Sequence, residues 1–234
     1  MSVSQEQKIS STYTLKEDQI ALKKQCQISN LLRRKDFKSV VKILQTDQKS
    51  RTNYQKLKYQ NQIYNVGQNL CIRGDNRSVY IAKLTKIVKL HDDEDNYLPF
   101  IKIQWYNRKT ELMGLPKDQL ECISENEVFK TNEFDYIEIE SIIGLAIILS
   151  YEEYDKIEEL NDNVYFMRAT YIDEKLSPPF EQWKKVCMCR KPANPDLKYI
   201  FCEICQKWFH LKCVGLSQDQ AIKLKKYICL ECKN

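Results

Sequence analysis

The chain has 234 residues, ten cysteines, only two histidines and five glycines, and a net charge of +5 at pH 7. Five scattered glycines build neither a G-x-G-x-x-G turn nor a P-loop cradle, and one of the two histidines, His210, stands among cysteines, so no catalytic machinery is legible and the expectation is not an enzyme. The longest apolar run, Ile142 to Leu149, is far shorter than the roughly 20 residues of a membrane span, and the polar N-terminus lacks a signal-peptide core. These features point to a soluble chain in a reducing intracellular compartment, with no membrane partner and no small-molecule substrate.

The charge is unevenly spread. Residues 1–65 carry 13 basic against 5 acidic groups (+8), residues 66–186 carry 15 against 23 (−8), and residues 187–234 carry 9 against 4 (+5). An acidic centre between basic flanks suits a basic peptide partner on the centre and a phosphate contact at the N-terminal end.

In chain order, residues 1–14 are Ser/Gln-rich and aperiodic, the pattern of a disordered end. From 15 to 50 apolar residues such as Leu15, Ile20, Leu31, Val40 and Leu44 recur at helical spacing among lysines and arginines, which predicts a basic amphipathic helical arm. Arg33, Arg34 and Lys35 in this arm are the candidate nucleic-acid contact. From 52 to 180 the period shifts towards two. Strands are expected at 53–59, 63–66, 69–73, 78–90, 100–105, 137–139, 144–150 and 164–171, separated by turn formers, and short strands at this rhythm imply a small, partly closed β-barrel. Ser177-Pro178-Pro179 is read as a linker, with Trp183 at the seam to a final unit at 184–234.

That final unit holds seven of the ten cysteines. A segment of about 50 residues cannot build a self-sufficient apolar core, and clustered thiols in a reducing compartment are metal ligands rather than disulfides. The donors run Cys187-x-Cys189, Cys202-x2-Cys205, His210-x2-Cys213 and Cys229-x2-Cys232. Eight donors make two closed tetrahedral zinc sites, which leave no coordination position for catalysis. The expected arrangement is a cross-brace, with Cys187, Cys189, His210 and Cys213 on the first ion and Cys202, Cys205, Cys229 and Cys232 on the second. Cys26, Cys71 and Cys122 are scattered and read as free thiols.

The donor order, Trp208-Phe209 before His210, and Cys213-Val214-Gly215-Leu216 resemble a PHD finger. A RING finger differs in placing a histidine fourth, where this chain has Cys205. The resemblance implies an aromatic box for methyl-lysine, held by cation–π attraction. Tyr199 and Trp208 match two of its places, whereas Val186 and Ala193 stand at places usually held by tyrosine. Glu203 matches the acidic position that takes a tail arginine, and the strand Lys198 to Phe201 is where a histone tail would pair.

The middle segment is similar to a bromo-adjacent homology (BAH) domain. The stretches that carry this likeness are Tyr64 to Gln68, Val79 to Leu84, Ile103 to Tyr106 and Glu127 to Asp135. Together the two resemblances imply a mainly β chain, a BAH-type barrel followed by a cross-braced PHD finger, in the arrangement of short plant BAH-PHD histone readers. They imply a BAH cage at Tyr80 and Trp105, with Tyr106 as a substitute wall and Asn107 where a third aromatic is expected. The expected function is a nuclear, chromatin-associated adaptor that binds histone tails, with methyl-lysine as the recognised group, and brings other subunits of a nuclear complex to them. A non-reading scaffold and DNA binding by the N-terminal arm are the competing expectations. The loop Asp92-Asp93-Glu94-Asp95 is the expected steering charge for a lysine-rich tail.

Overall fold

The computed structural model describes residues 37–46, 51–91 and 97–233. The reading of residues 1–36, including Arg33, Arg34 and Lys35, and of the acidic loop 92–96 therefore lies outside the described residues. Within them, helix α1 (Phe37–Thr46) is followed by strands β1 (Arg51–Tyr54), β2 (Lys56–Tyr59), β3 (Gln62–Asn65), β4 (Asn69–Arg73), β5 (Val79–His91), β6 (Tyr97–Arg108), β7 (Val128–Glu138) and β8 (Ile142–Leu149). Helix α2 (Lys117–Leu120) lies between β6 and β7, and α3 (Tyr151–Tyr154) follows β8. Strands β9 (Val164–Phe166), β10 (Thr170–Ile172) and β11 (Lys175–Ser177) complete the larger unit.

The main sheet runs β11-β10-β7-β6-β5-β4-β8-β9, with β1 pairing beside β5. It curls back on itself: Phe166 at the end of β9 bridges Glu127, the residue before β7, and its N–H donates to the Asn126 carbonyl at 3.1 Å. The partly closed barrel expected from the strand rhythm is thus formed, and its closing point is Glu127. Interior positions alternate along the strands as a half-buried sheet requires. Leu70, Ile72, Leu84, Ile101 and Ile103 fill one part of the interior, and Ile81, Tyr106, Val128 and Tyr165 another. Helix α1 lays Val40 and Leu44 on Val88, Phe100 and Tyr136, outside the barrel, while Lys42 and Gln45 face solvent.

Three sequence expectations are corrected. Residues 53–59 form two strands rather than one, broken at Gln55, whose carbonyl accepts the Val66 N–H at 3.0 Å. Residues 128–136 had no predicted strand, yet they belong to β7, a central member of the sheet whose outer part leaves Asn132, Glu133 and Phe134 exposed in succession and so hides the alternation. The Ser177-Pro178-Pro179 segment is not a free linker. Ser177 ends a paired strand, and the Trp183 indole donates to the Pro178 carbonyl at 3.0 Å. Trp183 itself stacks on Phe129 with 6.2 Å between ring centroids, among Leu112, Ile123 and Tyr171. The scattered thiols Cys71 and Cys122 are buried and unbridged.

The smaller unit contains the hairpin β12 (Tyr199–Phe201) and β13 (Trp208–His210), then helices α4 (Gln218–Lys223) and α5 (Leu230–Lys233). Its apolar cluster is small and built largely around cysteines: Cys187, Cys202, Cys229 and Phe209, flanked by Ile200, Val214 and Tyr227. Among the described residues no helix is long and apolar enough to cross a membrane.

Phe129 is fully buried under Trp183. Phe129→Ala should therefore destabilise the barrel by about 3–5 kcal/mol in urea unfolding, the range for removing a buried aromatic ring. A loss below about 1 kcal/mol would contradict the packing.

Candidate functional site

The ligating side chains of Cys187, Cys189, His210 and Cys213 form one group and those of Cys202, Cys205, Cys229 and Cys232 a second, with the donor atoms of each group within 4.8 Å of one another. His210 presents Nδ1, which lies 3.4 Å from Cys189 Sγ and 3.7 Å from Cys213 Sγ. The donors interleave along the chain, so each centre ties a knuckle to a distant segment. Crowded thiols of this kind cannot all ionise by themselves. Burial and the neighbouring thiols Cys187 and Cys189 push Cys213 up to about 12. Burial also opposes ionisation of Cys202, but backbone N–H donors from Cys205, Cys229 and Ile204 outweigh it and bring that thiol down to about 6. A divalent ion resolves this conflict by compensating the thiolates. One set of three cysteines with a histidine and one set of four cysteines suit two structural Zn²⁺.

On the finger's surface the hairpin register sets Tyr199 opposite His210 and Phe201 opposite Trp208, so the four rings share one face. Trp208 is 49% exposed and lies 5.0 Å from Phe201, itself partly exposed. Phe201 was not singled out by sequence, although its cross-strand position opposite Trp208 follows from the hairpin spacing. The Tyr199 hydroxyl is committed to the Asn194 backbone, accepting from its N–H at 2.9 Å and donating to its carbonyl at 3.2 Å. Glu203 makes a solvent-exposed ion pair with Lys226 at 3.7 Å.

Val186 and Ala193 do not face this hairpin groove. They pack with Tyr151, Tyr154, Val164 and Phe166 of the barrel, and Ala193 is 2% exposed. The loop that carries Ala193 is clamped throughout. The Asp196 carboxylate accepts from Ser124 Oγ at 2.7 Å and from the Glu125 N–H at 2.8 Å, and Asn194 Nδ2 donates to the Glu121 carbonyl at 3.2 Å. Arg168 donates through Nη1 to the Ala193 carbonyl at 2.6 Å while Nε and Nη2 grip the buried Glu127 carboxylate at 2.6 and 2.8 Å. Burial pushes the Glu127 carboxyl above the usual carboxylate range, and the paired guanidinium offsets only part of that rise.

The barrel residues expected to form a cage do converge. Tyr80, Trp105, Tyr106 and Asn107 line one cavity of about 290 Å³ together with Glu111 and Glu133. Tyr80 and Trp105 meet edge to face, 6.1 Å between centroids at 73°, both half-buried against the barrel core. Tyr106 contributes differently from Trp105. Its ring packs in the core, its hydroxyl donates to Asn69 Oδ1 at 3.0 Å, and burial raises its pKa. Gly74, missed by sequence, holds Tyr80 in place, because a Cβ there would collide with the Tyr80 ring and with Ser78 Oγ. A second cavity of about 220 Å³ shares Asn107, Glu111 and Glu133 with the first and adds Asp173 and Glu174. The carboxylates beside the aromatic pair thus come from separate segments, which no local sequence pattern could gather.

The BAH-domain family model matches residues 62–179, and the PHD-finger model matches residues 187–232. Among characterised proteins, the chain is 26% identical over 179 residues to the chromatin remodeling protein SHL of Arabidopsis thaliana, a match that covers 76% of each chain. It is 28% identical over 155 residues to the chromatin remodeling protein EBS of the same plant, covering 66% of this chain and 63% of that one, somewhat under two thirds of the relative's length. The histone lysine demethylase PHF8 of Danio rerio is 40% identical over 47 residues, but this covers 20% of the chain and 5% of the demethylase, a likeness confined to one small module that brings no catalytic domain with it.

The zinc assignment has a direct test. The purified chain should carry two zinc ions. Cys205→Ala should carry at most one and lose the cooperative unfolding of residues 187–232, whereas Met188→Ala, at a 59% exposed neighbour, should keep both ions. A Cys205→Ala protein with two ions and an intact finger would refute the assignment.

Proposed function

Because the chain belongs to the BAH-domain family and carries a PHD finger behind that domain, we propose that it is a nuclear, non-enzymatic adaptor that binds histone tails and reads methyl-lysine at the Tyr80–Trp105 cavity. The observation that carries this reading is the convergence of Tyr80, Trp105 and Asn107 on one cavity with the carboxylates of Glu111 and Glu133. A methylated ammonium keeps its charge while its surface becomes apolar, so it favours ring faces over water. Two half-buried rings inclined at 73° offer it two such contacts, and the carboxylates supply the counter-charge that a third ring would otherwise replace. The neighbouring acidic cavity extends the same logic to the other cations of a lysine-rich tail. The names of SHL and EBS, both chromatin remodeling proteins, support the chromatin setting and with it a nuclear site and other subunits as partners.

The finger takes a different part in this proposal. With Ala193 buried and Val186 partly buried against the barrel, two walls of the box that its family resemblance implies are absent, and small side chains close the seam in their place. What is left for a tail is the exposed Phe201–Trp208 pair, Glu203 and the edge of β12, which pairs with β13 alone among the described residues. The finger in this reading binds the tail backbone by strand addition with little discrimination of methylation, and the barrel supplies that discrimination.

Calorimetry with matched histone peptides tests both parts. The full chain should bind a trimethylated peptide at least about tenfold more tightly than its unmethylated counterpart, a difference of ~1.4 kcal/mol. Trp105→Ala should erase that preference without changing zinc content, and Gly74→Ala should weaken it by displacing Tyr80. Trp208→Ala should weaken both peptides alike. Equal affinities of the unaltered chain for the two peptides would exclude the cage.

A further inference from the structure

Where the finger meets the barrel, a cleft of about 760 Å³ opens, lined mainly by the finger and including Cys189, His210 and Cys213 of the first zinc centre. Glu121 and Cys122 line it from the barrel; Leu197, Leu211 and Leu216 give it an apolar wall from the finger. Three lysines, Lys191, Lys198 and Lys212, also line it. Lys191 is engaged by Glu121 at 3.7 Å. Lys198 and Lys212 are exposed and have no ion-pair partner among the described residues. The first zinc centre, with three thiolates and a neutral imidazole, contributes about one negative charge. Three lysines against one glutamate and that centre leave the cleft positive by about one charge. It therefore differs in sign from the carboxylate-lined cavities of the barrel, and a histone tail would bring its own cations against Lys198 and Lys212.

We propose that this cleft is a docking site for an acidic, leucine-bearing peptide segment of a partner protein. A leucine side chain fits against Leu197, Leu211 and Leu216, where burial of apolar surface supplies the attraction. A neighbouring carboxylate on the peptide meets Lys198 or Lys212. Beside an apolar wall that pair is less screened than on open surface, so charge contributes to selectivity between acidic and basic segments. The volume lies within the range of pockets that enclose a compact ligand or a pair of large side chains. Glu121 and Cys122 complete the lining from the barrel, so a partner seated there would touch both units and would adjoin, at Lys198, the hairpin edge offered to the tail.

The test uses the full, zinc-loaded chain and a fluorescein-labelled twelve-residue synthetic peptide of alternating leucine and glutamate pairs, read by anisotropy. The expected result is saturable binding with a dissociation constant on the order of 10⁻⁵ to 10⁻⁴ M. The combined change Leu197→Ser and Lys212→Glu should weaken it at least about tenfold, and Trp105→Ala should leave it unchanged. A peptide with lysine in place of glutamate, and one with glycine in place of leucine, should each bind at least about tenfold more weakly. Zinc content measured on the double variant separates loss of the cleft from loss of the finger, and should that variant lose zinc, the comparison of the three peptides on the unaltered chain decides. Absence of saturable binding, equal binding of the lysine peptide, or displacement by an unlabelled histone tail peptide would overturn the proposal. None of these outcomes depends on whether the Tyr80–Trp105 cavity reads methyl-lysine.

Discussion

The guanidinium of Arg168 joins the place where the barrel closes to the loop by which the finger meets it. Its side chain is 10% exposed and its partner Glu127 is wholly buried, so neither charge is solvated by water to any useful extent. The ion pair is bidentate, and the remaining donor capacity goes to the carbonyls of Cys122 and Ala193. The Trp183 ring lies 4.1 Å from the guanidinium carbon and covers it. These contacts fall at the one place where the barrel closes, since Glu127 bridges Phe166, and where the finger's loop lands on it. A pair of this type adds little over an apolar packing of equal volume, but removing one member leaves the other charge stranded, at a cost of about 3–5 kcal/mol. The arrangement therefore specifies a geometry more than it adds stability.

That geometry explains the division of labour between the two units. The loop Lys191 to Asp196 meets the segment Glu121 to Glu125 through the Asp196 carboxylate and the Asn194 amide, and meets Arg168 through the Ala193 carbonyl. The finger gives up one flank to this contact and keeps the aromatic hairpin face on the other. On the barrel, the Tyr80 ring is positioned by the close approach of Gly74 and by Trp105, remote from the seam in sequence but built on the same closed sheet. The Tyr80–Trp105 cavity and the finger's aromatic hairpin are thus tied to one closed sheet through the contacts of the seam.

The zinc donors were legible because metal ligation in such fingers is local: each pair sits on a turn of fixed length, and only the pairing between turns is tertiary. Tyr80, Trp105, Tyr106 and Asn107 were legible through family likeness and strand alternation. Alternation could not say that Tyr106 lines the cavity while its ring packs in the core, because that depends on the Asn69 partner on another strand. The counter-charge was sought in the run Asp92 to Asp95, where the sequence concentrates it. That run lies outside the described residues; among those described, Glu111, Glu133, Asp173 and Glu174 line the two cavities, each an ordinary surface residue when read alone. Arg168 was invisible for the same reason. Between Met167 and Ala169 it is one arginine within an apolar run, and its role arises from partners spread along the chain from Cys122 to Ala193. Val186 and Ala193 were recognised as departures from an aromatic box, but what replaces the box is visible only when the barrel is set beside them.

If Arg168 makes one body of two units, scanning calorimetry of the full zinc-loaded chain and of Arg168→Met measures it most directly. The expected result is one joint transition for the unaltered chain, and two separate transitions for Arg168→Met, with the barrel melting earlier than before and the finger keeping its two ions. A single transition at an unchanged temperature in Arg168→Met would contradict this coupling, as would two independent transitions in the unaltered chain.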